Sequence, residues 1–340
     1  MTTTLLLAAM LGFGQPKSSD GETPATAQEQ QPANKVIVVV GAAGSPEYGK
    51  QFSEWASRWR DAAKKGDAEF KAIGLAHAEA GTTDRDQLAR VLKAATANQN
   101  STLWIVLIGH GTFDSRAAKF NLRGPDVTAS ELRKWLADIQ CPTAIINCAS
   151  ASGPFLNKLA APNRVVITAT KSGYEQNFAR FGHYMSQAIA NPDADLDKDE
   201  QTSLLEAYLL ASRRTKEFYT TDGRLETEHA LMDDNGDGKG TRADWFRGVR
   251  PIRKPAGGDE VDGYRAHQLH LVPSDRERQL SAEVRRHRDE LELSVIRLRD
   301  RKAEMDADEY FKQLESLLVQ LAELYEQSDK PAADVAAAKD

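Results

Sequence analysis

Two short apolar runs, each followed by one reactive side chain, constrain the fold of this chain more than any other feature. The first run, residues 104–108, leads into Gly109 and His110, and the second, residues 144–146, leads into Cys148. Both runs are rich in β-branched residues and bounded by turn residues, which predicts buried parallel strands. Because the carboxyl ends of the strands form the reactive edge of an open α/β sheet, we expect His110 and Cys148 to meet there.

The segments around these runs alternate between further apolar runs and amphipathic stretches. Additional strands are predicted at residues 35–40, 71–75 and 164–170, and helices at residues 46–65, 84–97, 129–139, 154–159, 176–190 and 203–219. This alternation predicts an α/β/α sandwich with a mainly parallel sheet. The glycines after the first strand match no phosphate-binding motif, so we expect no organic cofactor.

Composition limits the partners of the chain. Its 340 residues carry a net charge of −6 with basic residues scattered among acids, which argues against a nucleic-acid partner. No run of about 20 apolar residues predicts a membrane-spanning helix. The apolar run in residues 1–15 resembles an export signal without a positive start, and we expect an extracytoplasmic location; the alternative is a terminus without a targeting role.

We divide the chain into four segments. Residues 1–34 are a signal segment and a disordered linker, residues 35–273 a catalytic domain with two acidic loops, residues 274–328 a helical hairpin, and residues 329–340 a disordered tail. Apolar residues near heptad spacing predict the hairpin, with its turn near residues 306–308. It is either a coiled coil for a homodimer or protein partner, or an autonomous surface hairpin.

The chemistry available at the sheet edge is that of a thiol beside an imidazole. A cysteine becomes a strong nucleophile as a thiolate, and a histidine within reach can activate it and later protonate a leaving amine. Gly111 lets the backbone approach a substrate carbonyl, so the amides of Gly111 and Cys148 are candidate oxyanion donors. The alternative is that both side chains are structural. Cys141 lies roughly 20 Å along the same strand at about 3.3 Å per residue, so Cys148 should be a free thiol.

These motifs resemble those of the caspase–legumain–gingipain superfamily of cysteine peptidases, and most closely its legumain-like branch. Gly109-His110-Gly111-Thr112 is similar to the legumain Gly-His-Gly-Gly, and residues 146–151 are similar to its Glu-Ala-Cys-Glu-Ser-Gly. The resemblance covers residues 35–190. It implies a caspase-like fold, a peptide or protein substrate, His110 as general base, Cys148 as nucleophile and Gly111 as an oxyanion donor.

Four positions depart from the legumain pattern or are assigned through it. Lys50 stands in the segment where legumains carry an Arg-His pair, and Ile146 stands where they carry a glutamate, so asparagine specificity is not supported. Lys50 would offer a cation to an acidic side chain, unless it is simply a solvated lysine. By resemblance, residues 171–177 form a pocket wall, in which Glu175 or Gln176 would favour a basic or polar residue.

Two acidic loops have the oxygen spacing of EF-hand loops. The candidate ligands are Asp195, Asp197, Asp199, Gln201, Ser203 and Glu206 in the first acidic loop, and Asp233, Asn235, Asp237, Lys239, Thr241 and Asp244 in the second acidic loop. Glu200 replaces the usual glycine of the first loop, whereas the second has Gly238. The alternative for each loop is an acidic solvated turn.

We expect structural Ca²⁺ in these loops, more strongly in the second, where it would stiffen the loops beside the cleft; whether both loops bind it stays open. Hard oxygen ligands disfavour zinc. His267 and His270 fall in a predicted strand, residues 267–272, where a separation of three residues puts side chains on opposite faces, so a metal shared by them is not expected.

The sequence therefore supports a calcium-stabilised, legumain-like cysteine endopeptidase. A second hypothesis is a catalytically inactive scaffold of the same fold that binds calcium and holds a partner. A third is a transpeptidase, because an amine can capture the same thioester.

Overall fold

The computed structural model describes residues 34–76, 81–95, 101–258 and 260–328. The predicted signal segment, nearly all of the predicted linker and the predicted tail lie outside these residues. The strands are β1 Lys35–Val40, β2 Glu69–Ile73, β3 Leu103–Ile108, β4 Gly111–Phe113, β5 Ala118–Phe120, β6 Val127–Thr128, β7 Thr143–Asn147, β8 Arg164–Thr168, β9 Leu231–Asp233, β10 Phe246–Arg247 and β11 Arg250–Pro251. The helices are α1 Pro46–Lys65, α2 Asp84–Ala95, α3 Ala129–Trp135, α4 Gly153–Leu159, α5 Phe181–Ala188, α6 Leu204–Thr221, α7 Tyr264–Gln268, α8 Asp275–Gln279, α9 Ala282–Asp300 and α10 Ala307–Ser328.

A six-stranded sheet in the order β2-β1-β3-β7-β8-β9 forms the centre of the protein. Its first five strands are parallel, and β9 pairs antiparallel with β8. All six residues of β3 and all five of β7 are buried, as the continuous apolar runs predict for strands covered on both faces. The prediction of an α/β protein with a mainly parallel sheet is confirmed.

Helices cover both faces of the sheet and define two cores. One core lies between the sheet and α1, α5, α6 and α7, and it contains Trp55, Phe181 and Cys148. The other lies between the sheet and α2, α3, α4 and the small β4–β6 sheet. His110 contacts aromatic rings of α1, so it lies on the same side of the sheet as Cys148.

Local sequence signals explain where the main helices begin. The Ser45 hydroxyl accepts from the Tyr48 amide at the start of α1, and Pro46 occupies its first turn, where no intrahelical hydrogen bond is lost. Thr128 and Glu131 form a capping box at α3, and Ser203 and Glu206 form one at α6. These caps match the helix starts predicted near residues 46, 129 and 203.

Three sequence predictions about elements are wrong. Residues 118–120, for which no strand was predicted, form β5 of a small antiparallel sheet, β4-β5-β6. Residues 264–268 form α7 where a strand at residues 267–272 was expected. The helix expected over residues 176–190 covers only Phe181–Ala188, because residues 171–180 fold as a loop over the sheet edge.

The C-terminal helices form the expected hairpin, with the turn slightly earlier than predicted. Helix α9 ends at Asp300, residues 302–304 form one turn of 3₁₀ helix, and α10 begins at Ala307. The hairpin is tied to the sheet domain through α7, because Gln268 donates to the Asp289 carbonyl at 2.8 Å and Tyr264 donates to Asp300 at 3.0 Å. Within the described residues, no helix is sufficiently long and apolar to traverse a membrane.

Candidate active site

The two reactive side chains follow neighbouring parallel strands. In the register of β3 and β7, Leu107 lies opposite Asn147. His110 follows the end of β3 and Cys148 directly follows β7, so both lie at the carboxyl edge of the sheet, as expected. Cys148 and Cys141 are both buried, and neither forms a disulfide.

One backbone carbonyl and three aromatic rings fix the imidazole of His110. Its Nε2 atom lies 3.1 Å from the Ala43 carbonyl oxygen. A carbonyl only accepts hydrogen bonds, so Nε2 is the donor, which makes Nδ1 the acceptor in the neutral imidazole. The rings of Tyr48, Phe52 and Phe178 lie 5.0, 5.3 and 5.9 Å from the imidazole, centroid to centroid. His110 is therefore held in the tautomer that a general base requires.

The thiol of Cys148 is sealed beneath the first turn of α5. A Cβ added at Gly182 would lie 2.6 Å from Cys148 Cβ and 2.8 Å from Trp55 Cζ3, so only glycine lets the helix approach this closely. Burial raises the pKa of the Cys148 thiol, and the negative charge of Glu228 raises it further. Within the described residues, no hydrogen bond joins Cys148 to His110. This conformation holds a protonated, covered thiol.

The oxyanion site expected from the sequence is not formed in this conformation. The Cys148 amide donates to the Leu107 carbonyl at 2.9 Å, which extends the sheet ladder by one residue. The expectation that this amide faces a substrate is therefore wrong for this state. The Gly111 amide donates to Ser150 Oγ over a longer 3.3 Å. A Cβ at Gly111 would lie 2.2 Å from the Ser150 carbonyl oxygen, which explains the glycine.

Glu175 joins two segments of the sheet edge and does not face a pocket. Its carboxylate accepts from the Lys171 amide at 2.9 Å and the His229 amide at 3.2 Å, and it lies 2.5 Å from His229 Nδ1. Its own carbonyl accepts from the Ala151 amide at 2.8 Å. Because its oxygens already accept hydrogen bonds within the protein, Glu175 has a structural role. Its expected role in substrate selection is not supported.

The other two predicted pocket residues are exposed. Gln176 lies on the loop surface, and its side chain donates to the Phe113 carbonyl at 3.4 Å. Lys50 is exposed on α1. Beside Gln176, the ring of Tyr174 is 72% exposed and meets Phe113 edge-on at 5.3 Å. The loop therefore offers an aromatic surface that the sequence did not indicate.

Glu228 is the site residue that the sequence did not reveal. It is 1% exposed, and its carboxylate accepts from the amides of Arg180 and Phe181 at 2.8 and 2.9 Å and from the Tyr219 hydroxyl at 2.9 Å. It therefore caps the N-terminus of α5 from a distant segment and holds that helix over Cys148. No local pattern could have indicated this, because the cap lies 47 residues along the chain from Phe181.

The acidic loops lie at the opposite edge of the sheet from Cys148. Asp233 pairs with Val166, so β9 runs toward the amino edge, and Gly236 contacts the turn that precedes β8. The first acidic loop follows the C-terminal end of α5, whose N-terminal end covers the thiol. The expectation that these loops lie beside the cleft is wrong, because α5 and β9 both carry the chain away from the carboxyl edge.

The first acidic loop gathers three carboxylates. One ligand atom from each of Asp195, Asp197 and Asp199 lies within 4.8 Å of the others. Glu200 adopts a left-handed φ of 69°, the conformation usually reserved for glycine at this position. Glu206 accepts from the Leu196 amide at 2.6 Å and the Ser203 amide at 2.8 Å, so both of its oxygens serve the loop and the helix cap.

The other two predicted ligands of this loop act within the protein. The side-chain oxygen of Gln201 accepts from the Ser274 amide at 3.0 Å. The Ser203 hydroxyl caps α6.

The second acidic loop is organised by buried aspartates. Asp233 accepts from the amides of Gly236 and Gly238 at 2.8 and 2.7 Å, and burial raises its pKa to about 6. Asp262, which the sequence did not single out, accepts from the Thr241 hydroxyl and the Asp234 amide. Burial, and then the neighbouring charge of Asp234, raises the pKa of Asp262.

The remaining predicted ligands of this loop are directed differently. Asp237 accepts from the Lys239 amide at 2.8 Å, and the Asn235 side chain accepts from the Asp237 amide at 2.9 Å. Asp244 instead pairs with Arg242 Nε and Nη2, each at 2.9 Å. Within the described ranges, Asp233, Asp237 and Asp244 do not form a three-carboxylate group like that of the first loop.

A cavity of about 430 Å³ lies along α6, between Leu196 and Phe246. Its lining also includes Glu228 and His229, but neither His110 nor Cys148. The covered thiol therefore does not open into this cavity.

Comparisons with solved structures find caspases among the similar folds. The Drosophila initiator caspase Dronc is 14% identical with a TM-score of 0.41, over 71% of this chain and 97% of that chain. A Geobacter sulfurreducens protein is 10% identical with a TM-score of 0.38, over 59% and 92% of the two chains. Caspase-1 from Spodoptera frugiperda is 7% identical with a TM-score of 0.37, over 60% and 87%.

No protein-family model matches the chain, and no curated protein matches it. Because the structural identities and TM-scores are low, the interpretation of the site rests on its own geometry.

Proposed function

We propose that this chain is a cysteine peptidase with a caspase-like fold, and that its described conformation is closed. The observation that carries the proposal is the arrangement of the dyad: His110 and Cys148 follow adjacent parallel strands, on the same side of the sheet, and the imidazole donates through Nε2, which makes Nδ1 the acceptor in the neutral form. A thiol and a base presented together at a sheet edge have the components of covalent acyl transfer. The motif resemblance favours the legumain-like branch, without its asparagine specificity.

In the proposed reaction, His110 Nδ1 takes the thiol proton and the Cys148 thiolate attacks the carbonyl carbon of a peptide bond. The tetrahedral intermediate collapses to a thioester as His110 gives its proton to the leaving amine. Water then hydrolyses the thioester, again with His110 as base, and regenerates the thiol. Gly111 is the proposed oxyanion donor, which requires its amide to exchange Ser150 Oγ for the substrate oxygen.

Catalysis requires the start of α5 to move away from Cys148. Gly182 and Trp55 cover the thiol, and the Glu228 cap holds this cover in place. We therefore propose that activity appears only after a change that releases the loop of residues 171–180 or the first turn of α5.

A peptide-library cleavage assay tests this function. The full chain is assayed in EGTA, in millimolar Ca²⁺ and after limited proteolysis, alongside Cys148→Ala and the matched control Cys141→Ala. We expect cleavage by the wild type and Cys141→Ala in at least one condition, and none by Cys148→Ala. No cleavage in all three conditions, together with no labelling of Cys148 by an electrophilic peptide, would refute the peptidase.

The exposed face of α10 favours a second candidate function, that of a scaffold that dimerises through its hairpin. Phe311 is 56% exposed and Leu318 and Val319 are each 49% exposed, and all three lie on one face with Leu314 and Ala322. An apolar stripe of this kind marks an interaction surface. A dimer in sedimentation experiments that becomes a monomer in Leu318→Glu would support it. A monomeric wild type would exclude the homodimer and leave a different protein as the partner.

Amine capture of the thioester is a third outcome, because it would make the enzyme a transpeptidase. Mass spectrometry distinguishes it from hydrolysis when the library is incubated with an added peptide amine. Ligated products that depend on Cys148 would identify transfer, whereas free carboxyl products identify a peptidase.

We also propose that the second acidic loop binds structural Ca²⁺. Asp233, Asn235 and Asp237 supply hard oxygens, and Gly236 and Gly238 allow the turn with φ angles of 83° and 76°. Asp244 pairs with Arg242, so Asp262 supplies the further carboxylate in its place. Asp262 is fully buried beside Thr241. An extracytoplasmic location fits this proposal, although the segment that predicts export lies outside the described residues. Unchanged thermal stability after chelation would count against the calcium.

A further inference from the structure

Among the residues that the structure describes, Phe178 is the one aromatic ring in contact with the His110 imidazole that does not belong to α1. Tyr48 and Phe52 contact the imidazole from successive turns of α1, at centroid distances of 5.0 and 5.3 Å. Phe178 reaches it at 5.9 Å from residues 171–180, which form neither helix nor strand. One ring beside the proposed base therefore comes from the loop that must move for catalysis.

The Phe178 ring fills a space lined by aromatic side chains. Its centroid lies 4.6 Å from that of Tyr48, 6.1 Å from that of Trp55 and 6.3 Å from that of Phe52. These separations, and the one to His110, fall in the range of about 4.5–7 Å that aromatic pairs favour. We call this space the aromatic pocket; its lining is Tyr48, Phe52, Trp55 and His110, and Phe178 occupies it.

We propose that Phe178 holds the place of a substrate side chain in the closed state, and that the enzyme selects an aromatic or bulky apolar residue next to the scissile bond. The inference rests on the proposed peptidase function and adds its substrate class. When the loop lifts, the ring leaves an apolar space beside the general base. A substrate ring that enters this space restores the contacts that Phe178 gives up and removes apolar surface from water.

The burial of the rings gives the pocket a floor and a mouth. Phe52 and Trp55 are 0% and 1% exposed, whereas Tyr48 and Phe178 are only half-buried. Phe178 follows the exposed Asn177, so its ring enters the pocket from the protein surface. A side chain of a bound peptide can take the same path once the loop has moved.

Polar contacts on both sides of Phe178 keep its ring in the pocket. On one side, the Glu175 carboxylate accepts from the His229 amide at 3.2 Å. On the other side, the Arg180 amide donates to the Glu228 carboxylate at 2.8 Å. Both contacts end on the same two consecutive residues, so one displacement of that segment frees the loop on either side of the ring.

The lining of the pocket disfavours a charged substrate residue. An ionised side chain would lose its hydration among rings that carry no charge. Lys50 is exposed on α1 and lies roughly 200° around the helix from Tyr48, at 3.6 residues per turn. The Arg180 guanidinium lies 5.7 Å from the Phe178 ring but only 4.2 Å from that of Phe218. An acidic substrate residue would therefore have to draw Arg180 away from its closer aromatic partner.

Ligand binding to an emptied pocket tests the inference without peptide cleavage. The full chain carrying Phe178→Ala is titrated with N-acetylphenylalanine amide and, separately, with N-acetylaspartate amide. NMR follows the His110 imidazole resonances, which are assigned by their absence in His110→Gln. We expect saturable binding of the aromatic amide with shifts at His110, and binding of the acidic amide at least about tenfold weaker, because apolar cavities accept apolar ligands.

A matched control separates the pocket from a general effect of losing a phenylalanine. Phe311→Ala truncates an exposed ring on α10. It should behave like the wild type, in which Phe178 fills the pocket, and show no saturable shift at His110. Circular dichroism checks that each variant folds, and Phe178→Leu, which keeps an apolar side chain, replaces Phe178→Ala if it does not.

The peptide library supplies a second readout. Cleaved bonds should have phenylalanine, tyrosine, tryptophan or leucine next to them. Phe178→Ala should raise kcat/KM for such peptides at least about tenfold, because the internal ring no longer competes for the pocket. A Phe178 that served packing alone would lower stability on truncation without changing which peptides are cleaved.

The outcomes distinguish this inference from the peptidase proposal. Cleavage with no preference for apolar residues, or with a preference for acidic ones, would overturn the substrate class but not the peptidase. Binding of the aromatic amide beside His110 without cleavage in any condition would refute the peptidase and support the pocket. If Phe178→Ala showed no saturable binding of N-acetylphenylalanine amide, the pocket itself would be refuted.

Discussion

The carboxyl and amino edges of the central sheet hold their polar side chains in opposite ways. At the carboxyl edge, Cys148 and His110 are packed among Trp55, Phe52 and Phe178, and the thiol is protonated because water is excluded. At the amino edge, the buried aspartates accept backbone amides and hydroxyls and together organise two loops. The carboxyl edge is closed over its reactive side chains, whereas the amino edge is ordered by hydrogen bonds to its buried carboxylates. The carboxyl edge should therefore be sensitive to changes that open it, and the amino edge to changes that remove a hydrogen-bond acceptor.

Removing the central acceptor of the amino edge should have the largest effect. Asp262→Ala leaves the amides of Asp234 and Asn235 and the Thr241 hydroxyl without their acceptor in a buried site. Each such loss costs about 1–3 kcal/mol, so we expect at least about 3 kcal/mol less stability in urea unfolding. Asp244→Ala removes an exposed carboxylate paired with Arg242 and should cost at most about 1 kcal/mol. Equal losses would mean that burial does not distinguish the two aspartates.

Protection of the thiols measures how tightly the carboxyl edge is closed. Without activation, Cys148 should react with iodoacetamide at least about 100-fold more slowly than in the unfolded chain, equivalent to about 2.8 kcal/mol at about 1.4 kcal/mol per tenfold. The two cysteines fall in one tryptic peptide, so fragment-ion mass spectrometry locates the label on Cys148 or on Cys141, which is also buried. Fast alkylation of Cys148 in the folded protein would show that its cover is open in solution.

The contact between α5 and Cys148 should not tolerate even one methyl group. Gly182→Ala puts a Cβ 2.6 Å from Cys148 Cβ, and overpacking of this kind costs about 1–3 kcal/mol. Gly49→Ala in α1 meets only Ala43 Cβ, at 3.6 Å, and should stabilise the protein by about 0.5–1 kcal/mol through helix propensity. Thermal unfolding of both variants tests the contrast, and a neutral Gly182→Ala would mean that α5 can lift without cost.

The Glu228 cap should make stability depend on pH. Burial raises the Glu228 pKa above its ordinary value of 4.5, so the folded state holds its proton more tightly than the unfolded chain. The stabilisation is complete below pH 4.5 and is lost as the pH rises through the folded pKa, with a slope of at most about 1.4 kcal/mol per pH unit. Glu228→Gln removes this one contribution, so wild type and variant should differ in slope above pH 4.5. If the stabilities of the wild type and Glu228→Gln changed with pH in the same way, Glu228 would not be a source of the pH dependence.

Local signals predicted a large part of the fold. Continuous apolar runs specified β1, β3, β7 and β8 because strands buried on both faces need no polar alternation. Helix α1 begins after a serine cap and ends before a glycine, as the local sequence indicates. The position of the dyad also followed from sequence, since it needs only two strand ends and a parallel sheet.

What escaped prediction depends on residues that are distant in the chain. The identity of Gly182 says nothing about Cys148 until α5 is laid over β7, and Glu228 cannot be recognised as a cap without that helix. A strand was expected at residues 267–272, whereas residues 264–268 form α7, whose first amides are capped by the distant Asp234.

The sequence by itself determined the parallel sheet, the strand ends that carry His110 and Cys148, and the spacing of oxygens in both acidic loops. These features depend on periodicity and on turn chemistry within a few residues. Only the tertiary structure decided that the thiol is covered and that the loops lie at the far edge of the sheet. Burial, charge and coordination arise between segments brought together by packing, and no single segment encodes them.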